Sequence, residues 1–214
     1  IYTGKTGWCS VKRLAVFASG RGSNFKSIWS EISAGNIPAE VCLFITDNPQ
    51  AKSLEFARSV DISSFALDTK MAGFSEQILR LLEDHNIDLV VLAGYMKLIP
   101  ADVVDCYENR IINIHPALLP AFGGKGCYGL NVHKKVINSG VKKTGVTVHY
   151  VNRNYDEGHI IAQETVNVFP EDTALSLAEK VLKIEHELFP DILKEICNNR
   201  MHWINGKPWV KQGN

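Results

Sequence analysis

Residues 111–126 read "IINIHPALLPAFGGKG". An apolar strand opens the stretch and glycines close it. Between them, Asn113 and His115 stand two residues apart, and Pro116 and Pro120 stiffen the exit. Successive strand residues face opposite sides, so Asn113 and His115 share one face while Ile112 and Ile114 share the other. A polar pair at the end of an otherwise buried strand needs a reason, and the surrounding chain supplies the setting. Four similar runs precede it: "RLAVFAS" (13–19), "EVCLFIT" (40–46), "SSFAL" (63–67) and "DLVVLAG" (88–94), with "RIINIH" (110–115) the fifth. Helical patterns separate them, over Ser23–Ala34, near Ala51–Val60, from about Phe74 to His85, and in a short segment opened near Pro100. Continuous apolar strands alternating with helices predict a parallel sheet covered on both faces.

After residue 130 the rhythm changes. "TGVTVHYV" (144–151) and "IIAQETVNV" (160–168) read as strands joined by the polar turn Asn152–Gly158, with no helix between them. Thr173 is placed to cap a long helix reaching about Asn198. In the tail, Asn205-Gly206 between short apolar runs signals a hairpin, and Pro208 confines its second strand to an edge. The expected fold is α/β: a Rossmann-like, mostly parallel central sheet with helices on both faces and an antiparallel C-terminal addition. One domain is expected over residues 13–199, with a tail at 200–214 and an extension at 1–12.

Bulk properties narrow the function classes. A chain of 214 residues, 45% hydrophobic and 21% charged, is long enough to bury a core without staples. Lys plus Arg and Asp plus Glu are balanced at 23 each, so no charge excess points to nucleic acid or a membrane surface. Five cysteines with no CxxC pair argue against a disulfide framework or zinc knuckle and fit a reducing compartment. The longest apolar run, around Leu89 to Met96, is too short to span a bilayer. The opening "IYTGKTGWCS" lacks the apolar core of a secretory signal; a vector-derived remnant and a stub left by processing are the two readings. The cytosol is the default location. A plastid is the alternative if the missing Met reflects removal of a transit peptide.

Three local features carry chemistry. "ASGRGSNF" (18–25) links the first strand to the first helix, where glycines allow a tight turn and free helix N–H groups attract an anion. Phe25 stands where the third glycine of a dinucleotide fingerprint belongs, so the loop suits a single phosphate better than NAD. An ordinary turn with Ser23 or Asn24 as helix cap is the plain alternative. Second, the helix after Thr173 has an apolar stripe at Ala178, Val181, Leu182, Leu188, Phe189 and Ile192, and Glu185 falls within it. A buried carboxylate must find donors. Third, Asn113 and His115 lie at the C-terminal end of the fifth strand, the edge where open parallel sheets bind ligands. An Asn amide can donate to a developing oxyanion, and a His can relay a proton. Asp156 is a candidate to hold that His charged, because its turn starts from a strand carrying His149. A metal reading of His115, His133, His149 and His159 lacks HxH or HExxH spacing, and a hydrolase would want GxSxG, which is absent.

Together "ASGRGSN" (18–24), "NIHPALLPAF" (113–122), "TGVTVHYV" (144–151) and "DEG" (156–158) resemble the phosphoribosylglycinamide formyltransferases, the glycinamide ribonucleotide transformylases of the formyltransferase family, over about Arg13 to Asn199. The resemblance implies transfer of the formyl group of 10-formyltetrahydrofolate to the amino group of 5-phosphoribosylglycinamide, in purine biosynthesis. It implies no metal, no NAD, no nucleic-acid or membrane partner, and a monomer or homodimer. By the same resemblance Asn113, His115 and Asp156 are catalytic, with Asp156 raising the pKa of His115. Gly22, Ser23, Asn24 and Glu185 are implied to bind the ribonucleotide. Met96, Lys97, Leu98, Ile99, Asn113, Asn152, Arg153, Asn154, Tyr155 and Asp156 are implied to line the folate pocket. Lys97 stands where these enzymes often carry Arg, exchanging a fork of donors for a point charge. The Gly-rich run 123–129 is longer than the common form and is a candidate lid. Three rivals remain: a hydrolase releasing formate from the same folate, a nicotinamide oxidoreductase using "SGRGSN" and Asp47, and a non-catalytic binding module. Deformylases resembling this chain read His-His where it has His115-Pro116.

Overall fold

The computed structural model describes residues 11–211. The strands are β1 (Lys12–Phe17), β2 (Ala39–Thr46), β3 (Ser63–Ala66), β4 (Leu89–Leu92), β5 (Ile111–His115), β6 (Lys143–Tyr150), β7 (Ile160–Asn167), β8 (Met201–Ile204) and β9 (Lys207–Val210). The helices are α1 (Ser23–Ser33), α2 (Lys52–Ser59), α3 (Phe74–Asp84), α4 (Ala101–Cys106), α5 (Leu130–Ser139) and α6 (Ala174–Cys197). Seven strands form one sheet in the order β3-β2-β1-β4-β5-β6-β7. From β3 to β5 every pairing is parallel, while β6 and β7 are added antiparallel. This is the expected α/β architecture.

Alternation along the strands sorts the core into two layers. Leu14 and Val16 pack with α1, α2, α5 and α6, whereas Ala15 and Phe17 pack with α3 and α4. Ile112 and Ile114 belong to the first layer and Ile111 to the second, so Asn113 and His115 are carried on the α3/α4 side of β5. The chain reverses direction across the sheet between β1 and β4, the switch point where doubly wound sheets bind ligands. The two loops there are tied together: Ser19 N–H donates to Gly94 C=O at 3.1 Å, and Ser19 Oγ accepts from Met96 N–H at 2.9 Å.

The sequence reading missed α5. "LNVHKKVINS" is framed by Gly129 and Gly140 and buries only Val132, His133 and Val136. Asn and β-branched Val are weak helix formers, and the Gly-rich run before them reads as loop. The stripe of α6 is also shifted: Leu177, Val181, Glu185, Phe189 and Leu193 are buried, while Ala178 and Leu182 face the cavity described below. Thr173 caps α6, with its side chain accepting from Ser176 N–H and the Ser176 hydroxyl accepting from Thr173 N–H. Pro190 lies inside this helix and offers no N–H, which frees the carbonyl of His186 four residues earlier. Ser27 Oγ on α1 donates to that carbonyl at 2.9 Å, so the proline docks α6 onto α1 rather than ending it.

Asn205 (φ 51°) and Gly206 (φ 72°) make the β8–β9 turn, the two positive φ angles that a two-residue hairpin requires. The expected extension at residues 1–12 lies almost wholly outside the described residues, and β1 already begins at Lys12.

The segment leaving β5 is held by one buried hydroxyl. Thr147 on β6 donates to Ala117 C=O at 2.7 Å, and it accepts from Leu119 N–H at 3.0 Å and Gln163 Nε2 at 2.9 Å. Gln163 Nε2 also donates to Leu119 C=O at 3.0 Å. Thr147→Val keeps the volume and strands these groups. It should lower the unfolding free energy in urea titration by about 1–3 kcal/mol; an unchanged midpoint would refute this.

Candidate active site

The C-terminal ends of β1, β4 and β5 open into a cavity of about 570 Å³. Gly22, Ser23 and Asn24 line it from the β1–α1 loop, Met96, Lys97, Leu98 and Ile99 from the loop after β4, and Asn113 and His115 from β5. Asn154, Tyr155 and Asp156 enter from the β6–β7 turn, and Glu185 from α6. Two expected residues are elsewhere. Asn152 and Arg153 line a neighbouring hollow, and Arg153 is held outward by two bonds to Asp105, at 2.9 and 2.6 Å.

At one end of the cavity the β5–β6 register decides the geometry. Asn113 pairs with His149 and His115 with Thr147, so His149 shares the face of Asn113 and His115. Both strands are visible in the sequence, but their register is not, and His149 was not among the expected site residues. His149 Nδ1 lies 2.8 Å from Tyr150 C=O, and a carbonyl only accepts, so this nitrogen carries the proton. His149 Nε2 lies 3.1 Å from Asn113 Nδ2, a contact that orients the amide.

Asp156 sits at φ 57°, a left-handed backbone that Asp tolerates better than most residues. Its Oδ2 accepts from Gly124 N–H at 2.9 Å and lies 3.6 Å from His115 Nδ1; its Oδ1 lies 3.7 Å from His149 Nε2. Burial pushes the Asp156 carboxyl up, but contact with His149, the charge of His115 and the Gly124 N–H outweigh it, leaving the group below its ordinary range. For His115 the balance goes the other way. Burial pushes it down more than Asp156 and the Phe122 carbonyl, at 3.0 Å from Nε2, pull it up. Asp156 does pull His115 upward, as expected, but with 4% of its side chain exposed, desolvation prevails over an ion contact as long as 3.6 Å and leaves His115 below its ordinary value. Both ring nitrogens nevertheless face acceptors, so an imidazolium formed here would be satisfied on both sides. His133 on α5 is pushed down to about 4 by burial and then by His115, and its Nδ1 has no partner.

Also on the cavity wall, Asn24 Nδ2 donates to Glu185 Oε2 at 2.6 Å. Gly22 makes the approach to Asn24 feasible: its φ is 73°, and a Cβ there would stand 2.6 Å from Ser53 Cβ. Gly22 itself, not Ser23 or Asn24, is the cap residue of α1, so the side chains of the loop are left for the cavity. Glu185 is 8% exposed, and burial raises its pKa to about 7 against the one bond from Asn24 that lowers it. Among the described residues, no group of three or more His, Cys, Asp or Glu is placed to hold a metal ion, and no helix is long and apolar enough to cross a membrane.

This sheet, with Asn, His and Asp meeting at its ligand edge, defines the class of protein. Residues 12–193 match the formyl transferase family, and the chain belongs to it. It is 43% identical to the chloroplastic phosphoribosylglycinamide formyltransferase of Arabidopsis thaliana over 206 residues, which is 94% of this chain and 70% of that protein. It is 40% identical to the phosphoribosylglycinamide formyltransferase of Bacillus subtilis, covering 89% of this chain and 98% of the relative. The crystal structure of phosphoribosylglycinamide formyltransferase from Anaplasma phagocytophilum superposes with a TM-score of 0.86 at 36% identity, covering 94% of each chain.

Between about pH 4.5 and 7, native Glu185 holds a proton that the unfolded chain has released, so this group lowers stability as pH rises through that window. Glu185→Gln keeps an acceptor for Asn24 and removes the titration. The variant should gain on the order of 1–3 kcal/mol over the parent between pH 5 and pH 8 in urea unfolding. Parallel pH curves for the two proteins would contradict the buried, protonated carboxyl.

Proposed function

We propose that this chain transfers the formyl group of 10-formyltetrahydrofolate to the amino group of 5-phosphoribosylglycinamide, giving the formylated ribonucleotide and tetrahydrofolate, a step of purine biosynthesis. The observation that carries the reading is the meeting of Asn113, His115 and Asp156 in a cavity that Glu185 and the Gly22–Asn24 segment also line. The names of the relatives support the same substrates.

In this reading the ribonucleotide phosphate lies against Gly22, Ser23 and Asn24, where free N–H groups at the start of α1 favour an anion. Glu185 accepts from the glycinamide amine; with a pKa near 7 it ionises readily when a cationic or donor group arrives. The folate lies along Met96 to Ile99 and Asn154 to Asp156. The amine nitrogen attacks the formyl carbon, and the carbonyl π pair moves to oxygen. The Asn113 amide donates to that oxyanion, while His115, whose two nitrogens face Asp156 and the Phe122 carbonyl, stabilises it by charge once protonated. When it collapses, the bond from carbon to folate N10 breaks, the amine gives up a proton, and N10 takes one. His115 carries that proton as a transient imidazolium between the Asp156 carboxylate and the Phe122 carbonyl. A low resting pKa makes it a ready acid once charged.

The nicotinamide rival is disfavoured by Phe25 at the third glycine position, and a binding module would have no use for a buried His–Asp pair. Formate release is separated from transfer by assay. Product should form from formyltetrahydrofolate only when the ribonucleotide amine is present; folate turnover without acceptor would identify a hydrolase. Asp156→Asn keeps a residue suited to positive φ and removes the charge, and it should cut turnover by ~100-fold or more with the fold intact by circular dichroism. Near-normal turnover would end the role assigned to Asp156.

A further inference from the structure

The turn that carries Asp156 leaves the sheet after β6 and returns at β7. Its base is closed by Tyr150 N–H donating to His159 C=O at 2.9 Å. The closure is tight: a Cβ on Gly158 would fall 1.7 Å from the Tyr150 carbonyl oxygen, so no other residue fits there. That same carbonyl accepts from His149 Nδ1 and fixes its tautomer. The base of the turn therefore sets two things at once: where Asp156 stands, and which nitrogen His149 presents to Asn113.

Both residues of this base touch one side chain from outside the main sheet. Trp203, on β8, stacks on Tyr150 with ring centroids 5.3 Å apart and planes 28° from parallel, and it meets His159 edge-on at 5.5 Å and 82°. Tyr150 is 5% exposed, and Trp203, at 42%, lies over it as the outermost layer. The β8–β9 hairpin has no core of its own, and two strands alone are marginal in water. Its strands bury little, and its hold on the domain runs through Trp203 and the packing of β9 against the start of β7.

We propose that Trp203 is a positioning residue: by clamping Tyr150 and His159 it holds the base of the β6–β7 turn, and through it the Asp156 carboxylate against His115 and His149. This rests on the role given to Asp156 above. The charged and titratable groups involved are His115 and His149 facing Asp156, and His133 facing His115.

The test compares Trp203→Ala and Trp203→Phe with the parent, at a temperature where circular dichroism shows each folded. Trp203→Ala should lose ~10–100-fold in kcat with little change in KM for the ribonucleotide, because Asn24 and Glu185 stand on α1 and α6 rather than on the β6–β7 turn. The limb of its pH–rate profile set by His115 should move to lower pH, because a displaced carboxylate pulls less on the imidazole. Trp203→Phe should restore most of both. If Trp203→Ala does not fold, Trp203→Leu, which keeps apolar bulk without the ring stack, takes its place. A lower Tm with unchanged kcat and pH profile would overturn the proposal and leave the hairpin as a cover for β7. Asp156→Asn, assayed alongside, separates the two failures. If it is near normal, the reading of Asp156 fails. If it is inactive while Trp203→Ala behaves as the parent, only the role of Trp203 fails.

Discussion

A partly buried carboxylate between two imidazoles is the interaction on which the rest of the site depends. Asp156 accepts from Gly124, contacts His115 with one oxygen and His149 with the other, and does so from a left-handed backbone position. Each neighbour is fixed by something else. His149 is set by Tyr150 and in turn sets Asn113, while His115 is held by the Phe122 carbonyl. Moving the carboxylate would strand the Gly124 N–H and leave His115 Nδ1 without its partner, and burial makes such polar groups costly to strand. The same burial keeps His115 below its ordinary range at rest. On the proposed mechanism, the charge is thus reserved for the transition state, where the acceptors on either side of the ring become complementary to it.

The Asn24–Glu185 contact solves a different problem with the same means. Glu185 lies on the buried ridge of α6, where a carboxylate is expensive, and a single donor from Asn24 does not offset that cost. A proline in α6 frees a carbonyl that α1 then binds through Ser27, one turn away from the Asn24–Glu185 contact. Two side chains of α1 thereby tie it to α6.

Much of this was legible in the sequence, and the parts that were not share a cause. The period of two in β5 gave the common face of Asn113 and His115, and a carboxylate in an apolar stripe singled out Glu185. The capping threonine and the Asn-Gly hairpin were local signals and were read as such. Register between strands is not local, so His149 was seen as a strand residue but not as the partner of Asn113. The helix α5 was hidden by weak helix formers behind a run of glycines. Asn152 and Arg153 were expected at the folate pocket from the family resemblance, yet they line a neighbouring hollow, and Arg153 bonds Asp105 instead. The upward pull of Asp156 on His115 is carried by the motif, whereas the burial that opposes it comes from packing and is not local in the sequence.

The central claim is that burial, opposed by Asp156, sets the resting protonation of His115. The direct measurement is an NMR titration of the His115 imidazole in the parent protein and in Asp156→Asn. The account predicts a pKa below the ordinary 6.5 in the parent and a lower one still in the variant, where the opposing charge is gone. A parent value above 6.5, or a variant value equal to or higher than the parent's, would contradict it.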